Sequence, residues 1–420
     1  MSDRGIPRRE FVKSAVAIGG ASALAACLDR GSPDIPTGTT NGGSLPERQH
    51  AWNDVLSTDD AGNPVAPRHR VLLLLDYTGD VPTSDDRETV ENALRSLERA
   101  YEWSDDGLLF TLSYSRAYFD RFDAGPEGVD LQRPEALASF ENPELDTPDA
   151  VLHLASDHGS AVLAAEEAVR GNADSANGVD TTGFGDVFDV VDRRTGFVGA
   201  GLPAENDDVD GVPSGEVSED APLYMGFKSG FKGNQASEDS VTIQSGPFAD
   251  GSTQHVSNIE LNVDQWYEQD SRYQRVSKMF CPAHADDGLV EGVGNNLGQS
   301  SAMGHCEAPE KAARNSGVVG HSQKMTTVRD ESNSPLILRR DFDSTDGGHA
   351  GLHFVCLQRG IGEFVKTREA MNGSDLSENS AVGQRNNNGI LQYMNVTNRG
   401  NYLLPPRSAR ALPTPTGVPE

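Results

Sequence analysis

Positive charge is what this sequence most lacks. Lysine occurs seven times in 420 residues, with none between Lys13 and Lys228, and all 35 basic residues together face 64 acidic ones. The formal net charge of -29 excludes a nucleic-acid role that rests on neutralising phosphates, and it repels anionic membrane surfaces. Because the acids are spread along the chain rather than gathered in a tail, they read as a solvated surface suited to high salt, and a haloarchaeal source is expected. Transmembrane spans are not needed to explain the composition, and no Walker-type loop, dinucleotide fingerprint or EF-hand pattern stands out. What remains is a chain with 36% hydrophobic residues, enough for a sizeable core and for two or three domains.

The N-terminus carries an address. Arg8 and Arg9, followed by Phe11, Val12 and Lys13 and then by a moderately apolar Ala/Gly-rich stretch, resemble a twin-arginine export signal. The stretch is too short and too small-residued for a comfortable transmembrane helix, and Leu24-Ala25-Ala26-Cys27 reads as a lipobox with Cys27 lipidated. Residues 1–27 are therefore expected to be a signal, and the mature chain to sit outside the cell, touching the membrane only through a lipid anchor. Residues 28–68, rich in Gly, Pro, Ser, Thr and Asp, read as a flexible linker.

From Arg70 a short apolar run ended by Gly79 predicts a buried strand. A helix follows, with Ser84 or Asp85 as cap and Val90, Leu94, Leu97 and Tyr101 on one face. Strands at Leu108–Ser115 and from Ala150, a helix at Ser160–Arg170 and a β stretch from Gly185 complete the order βαββαβ, a ferredoxin-like plan over residues 69–205. Past a polar boundary, residues 220–375 repeat the flavour: a strand around His255, a helix over Val263–Phe280, strands at Pro335–Phe342 and from Gly351, and a helix from Ile361. The expected fold class is α+β, two ferredoxin-like modules in the manner of a dimeric α+β barrel, with residues 376–420 as a C-terminal tail that packs back.

Three groups of residues bear on chemistry. Within Tyr224–Gly233, Gly226 and Gly230 bracket a turn that presents Ser229, a common way to push a small polar group into a pocket. Downstream, His321 follows Val318-Val319-Gly320, and Arg339 lies on a strand whose alternation turns Arg339 and Asp341 to one face and Arg340 to the other. An imidazole and an arginine aimed into one apolar cavity suit haem, although a lone loop histidine is by itself more often a hydrogen-bonded or surface residue. The second group is Cys281, His284, His305 and Cys306, which could build a tetrahedral zinc or a copper site. Its spacing is not a standard zinc pattern, and a Cys281–Cys306 disulfide ranks ahead of metal in an exported chain; Cys356, on a strand, reads as a buried free thiol. The third, Asp157-His158-Gly159-Ser160, lacks the Gly-x-Ser-x-Gly elbow of a serine hydrolase, and Ser160 or Asp157 serves better as a helix cap.

The segments containing His321, "LILRRDF" and "GLHFVCLQRGIGEFVKTREAMNG" resemble the C-terminal signature of DyP-type (dye-decolourising) haem peroxidases. "NIELNVDQWYEQD", "GLLFTLSYSRAYFDRF" and "YMGFKSG" are similar to further family segments in the same order, from about Arg70 to Gly373, as in a divergent exported haloarchaeal-like member. The resemblance implies haem b in the C-terminal module, His321 as its proximal ligand, Arg339 as the distal arginine and Phe354 beside the cofactor. It also implies hydrogen peroxide as oxidant, with an unknown reductant, and is compatible with an oligomer. The sequence departs from the family at Ser229, where relatives carry an acid credited with moving a proton on peroxide; serine has no accessible ionised form for that task. Asp341 is the first substitute to consider, Glu238 and Asp239 the second. The alternative reading is a non-catalytic relative that binds haem or another tetrapyrrole, as in iron acquisition.

Overall fold

Strand β1 (His69–Tyr77) shows how the chain builds two cores from one run of leucines. Val71, Leu73 and Leu75 point to the layer of helices, while Leu72 and Leu74 point to the opposite face, so nearly every residue is buried although side chains alternate. Helix α1 (Ser84–Ala100) follows and seats Val90, Leu94 and Leu97 on that sheet. Its cap is Thr83 rather than Ser84 or Asp85: the Thr83 hydroxyl accepts the Asp86 N–H while the Asp86 carboxylate reaches back to Thr83, a closed capping box. Next come β2 (Leu109–Ser115), β3 (Ala150–Ser156), α2 (Gly159–Val169) and β4 (Phe188–Phe197). The N-cap of α2 is His158, whose side chain does not bond the helix end; Asp157 instead accepts the Arg68 N–H.

The structure, a computed structural model, describes residues 34–377 and 381–418. The twin-arginine pair and Cys27 lie outside the described residues. In the second half β5 (Ser252–Leu261) leads into two short helices, Val263–Glu268 and α3 (Arg272–Met279), where one continuous helix is predicted. Ser271 breaks the run by capping α3 in a box with Gln274. Helices α4 (Pro282–Asp286) and α5 (His321–Lys324) precede β6 (Phe342–Ser344), β7 (Gly351–Gln358), α6 (Ile361–Asn372) and β8 (Met394–Leu404). The run from Pro335 to Phe342 is not one strand: Leu338 and Arg339 pair with β7, and β6 begins only at Phe342.

All eight strands pair antiparallel in the order β6-β4-β1-β3-β2-β8-β5-β7, and β6 pairs back onto β7, so the sheet closes into a barrel. Each half has the same internal order, its fourth strand beside the first, then the third, then the second. Two seams join the halves: β2 against β8, and β4 against β6. The barrel interior holds Leu72, Leu74, Val151, Val256, Phe342, Val355 and Tyr402.

Two expectations about the chain ends are corrected. Residues beyond 375 are not a tail, because β8 lies between β2 and β5 and completes the ring. Residues 34–68 are not a free linker: Trp52 is buried in the main core, and the buried Gln49 side chain donates to the carbonyls of Leu112 and Pro405. Among the described residues no helix is long and apolar enough to cross a membrane.

Candidate functional site

The outer face of the second-half sheet is apolar where alternation demands it. Ile259 and Leu261 of β5, Leu352 and Phe354 of β7 and Val396 of β8 point away from the barrel, and α5, α6 and the segment 223–234 cover them. Between sheet and cover lies a cavity with about 190 Å³ of space for the centres of water molecules. His321, Arg339, Asp341, Ser229 and Phe354, all singled out from the sequence, line it together.

His321 opens α5, and the chain there is pinned on one side by Gly320, where a Cβ would lie 1.7 Å from the Phe280 carbonyl oxygen. Its Nδ1 is buried without a partner, and among the described residues no hydrogen bond reaches either ring nitrogen. Burial, and then the nearby cations Lys324, Arg339 and Arg368, push its pKa down to about 3, so the imidazole is neutral with a free lone pair. Among the described residues Lys324 has no carboxylate partner; it donates to the carbonyls of Met371 and Asn388 and to the Asn388 side chain, and burial lowers it to about 7.

Arg339 is positioned by its backbone, whose N–H donates to Gln235 Oε1 at 2.9 Å, while the Ala236 N–H donates to the Ile337 carbonyl at 3.0 Å. Its guanidinium makes no hydrogen bond or ion pair among the described residues. Asp341 shares the cavity without pairing to it, since no contact within 4.0 Å joins the two. Arg340 faces the other way, as alternation predicts, stacking on Trp52 at 4.5 Å and pairing with Glu238 at 2.8 Å.

That pair removes Glu238 from the substitutes for an acid at position 229, because its carboxylate is held by Arg340 and by the N–H groups of Trp52 and Asn53 outside the cavity. Asp239 is removed as well, being exposed and paired with Arg48. The turn itself follows the sequence: Gly226 and Gly230 adopt φ of 76° and 77°, and at Gly226 a Cβ would strike the Tyr267 hydroxyl. Ser229 lines the cavity, and its neighbour Lys228 pairs with Asp59.

Asp343 is the residue that sequence reasoning missed. It continues the alternation Arg339, Asp341, Asp343 into β6, it is 1% exposed, and one carboxyl oxygen accepts the Tyr224 N–H. Burial raises its pKa well above the ordinary carboxylate value, which favours the neutral form. The periodicity was the available signal, two residues further along the same face.

The other groups sit apart. Cys281 and Cys306 form a disulfide, His284 lies against both sulphurs, and His305 pairs with Asp287 at the surface. Cys356 is buried and free.

Residues 67–406 match the model of a family described only as a family of unknown function (DUF7405). No curated protein matches the sequence. Among solved structures the chain is similar to a dye-decolorizing protein from V. cholerae, at 13% identity and a TM-score of 0.55, covering 86% of this chain and 99% of that one. It is similar to a DypB variant from Rhodococcus jostii RHA1 in complex with heme, at 15% identity and a TM-score of 0.55, covering 87% and 99%. A dye-decolorizing peroxidase from Bacteroides thetaiotaomicron shares 13% identity at a TM-score of 0.54, covering 86% and 99%. At such identities the likeness is one of fold.

Proposed function

The chain belongs to the DUF7405 family, whose function is unknown, and from its own cavity we propose that it is an exported DyP-like haem protein that reduces hydrogen peroxide while oxidising a donor. The observation that carries this reading is the meeting of a neutral, unbonded imidazole, His321, with an unpaired guanidinium, Arg339, in the walls of one largely apolar cavity. The fold shared with dye-decolourising proteins, one of them in complex with heme, supports it. So does the repeated strand order, which we read as two ferredoxin-like modules fused in the manner of a dimeric α+β barrel. Arg8, Arg9 and Cys27 support twin-arginine export with a lipid anchor, and the net charge of -29 supports a saline setting.

The donor set fits haem. His321 would hold the iron through Nε2, since Nδ1 is sealed in the protein; Phe354 and Ile259 would pack the macrocycle. Arg329, half-buried and in no ion pair among the described residues, would meet the cofactor's carboxylates. When bound, haem, read as the b type, supplies the iron redox chemistry that peroxide reduction needs. Arg339 stabilises the negative charge that develops as the peroxide bond breaks. Ser229 orients a water, and Asp341, on the same strand face as Arg339, accepts the proton that peroxide must move. Burial of Asp343 favours its neutral form, which keeps a further negative charge out of the wall that Asp341 shares.

Two observations favour a second reading, in which haem or another tetrapyrrole is bound without turnover. Serine stands where an acid is wanted, and among the described residues no carboxylate bonds the buried Nδ1 of His321 to raise the basicity of the ring, while cations lie nearby. Absorption spectroscopy and peroxide kinetics decide between them. Haem-loaded protein should show a Soret band that His321→Ala abolishes, and a chain that stays colourless with added haem sinks both readings. If haem binds, dye oxidation by peroxide should fall at least about 100-fold in Arg339→Leu, the scale on which loss of one charge-stabilising group acts. Ser229→Asp should accelerate peroxide reaction; haem binding with no turnover in either protein leaves the carrier reading.

A further inference from the structure

His284 makes one bond that determines its chemistry. Its Nε2 lies 2.9 Å from the carbonyl oxygen of Ser301, and a carbonyl only accepts, so Nε2 carries the hydrogen and the neutral ring's Nδ1 is a lone pair. That lone pair is aimed at two sulphurs, 3.1 Å from Cys281 Sγ and 3.3 Å from Cys306 Sγ. In the disulfide neither sulphur has a hydrogen to donate, so a fully buried acceptor faces two atoms that give it nothing. The arrangement has another occupant that satisfies it. A histidine whose outer N–H is tied to a backbone carbonyl and whose inner nitrogen converges with two cysteine sulphurs is a ligand set with its supporting hydrogen bond already made.

The three ligand atoms lie within 4.8 Å of one another. They come from one short stretch, Cys281 at the N-terminus of α4 and His284 within it, closed by Cys306 from a separate loop. The ring of Phe280 stacks on His284 with an interplanar angle of 11°, which fixes the imidazole plane. His305, next to Cys306, has its ring centre 5.9 Å from that of His284, and its Nε2 is held by Asp287 at 2.6 Å. A fourth position on that side is open to His305 after a side-chain turn, or to water.

We propose that Cys281, His284 and Cys306 form a transition-metal site, zinc being the ion that two thiolates and imidazole favour, and that the disulfide is its closed form. The interconversion balances. A dithiol reductant passes two electrons and two protons to the disulfide, giving two cysteine thiols and the reductant's own disulfide. A divalent ion then displaces the two thiol protons, forming two metal–sulphur bonds with no change in its own oxidation state. The site is independent of haem, although Phe280 and Ser301, which hold His284, also stand in the cavity wall.

The test uses full-length protein without added haem, reduced by a phosphine, freed of reductant under anaerobic conditions and titrated with Co²⁺, with near-UV circular dichroism to follow the fold. The expected result is one equivalent of Co²⁺ with a thiolate-to-metal charge-transfer band, displaced by Zn²⁺ and absent from oxidised protein. Cys306→Ser should remove the band, and His284→Ala should weaken Co²⁺ by more than about tenfold, the least that loss of even an outer partner costs. The proposal is overturned if the reduced chain loses its fold, if it stays folded and takes up no Co²⁺, if the band survives in Cys281→Ser/Cys306→Ser, or if His284→Ala leaves affinity unchanged.

Discussion

Glu238 shows how far a single residue's role depends on its partner. Its Oε1 accepts from Trp52 N at 2.8 Å, Asn53 N at 2.9 Å and the Arg340 guanidinium at 2.8 Å, so the N-terminal segment is tied to the barrel through one carboxylate. Arg340 is 7% exposed and stacks on Trp52; without Glu238 it would be a buried charge with no counterion. Glu238→Ala should cost about 3 kcal/mol in urea denaturation, the scale of breaking a buried ion pair by removing one member, while haem binding stays as in the unmodified protein. At this scale the sequence was half legible. Alternation placed Arg339 and Asp341 on one face and Arg340 on the other, but that Glu238 is already committed depends on a residue 102 positions away.

Strands and seams carry the next level. The seam between β4 and β6 rests on a single pairing, Phe197 with Asp343, and Gly196 beside it has no room for a side chain. A Cβ there would lie 1.9 Å from the Asp343 carbonyl oxygen and 2.6 Å from the Phe342 ring. Gly196→Ala should therefore open the seam and destabilise the protein by about 2 kcal/mol or more in thermal denaturation, with faster amide exchange in β6 than in β1. A uniform loss of protection would argue against a local seam. Most elements could be read from apolar periodicity, as in β1 and α1. β8 could not, because Asn395, Thr397, Asn398 and Asn401 interrupt its pattern; its place comes from neighbours on both sides, β2 and β5.

The whole molecule responds to pH through histidines that the fold keeps neutral. Burial lowers His50, His255 and His321 to about 3 and His69 to about 4, from an ordinary value of 6.5. As pH falls below 6.5 the unfolded chain takes up these protons while the folded chain does not, so stability is fully present above 6.5 and is lost on acidification. Asp343, and to a lesser degree Asp157, act in the opposite sense, since a raised pKa keeps a proton in the folded chain that the unfolded chain releases, but buried His153 adds to the histidine side. Surface carboxylates titrate lower, which leaves pH 7 to 5 as the window for the histidines. Urea midpoints measured at pH 7, 6 and 5 should fall, each histidine contributing at most about 1.4 kcal/mol per pH unit below 6.5. A flat or rising midpoint would contradict the buried, neutral assignment.

By itself the sequence determined the helices and strands whose signals are local, the glycine-bracketed turn at Ser229, and the residues His321, Arg339, Asp341 and Phe354 that meet in one cavity. These follow from periods of 2 and 3.6 residues and from backbone preferences within a few positions. Only the tertiary structure decided that β8 closes the ring, that residues 34–68 belong to the core, that Glu238 is spent on Arg340 and that burial raises the pKa of Asp343. Each of these depends on burial or on a partner far away in the chain, and neither exists until the barrel has closed.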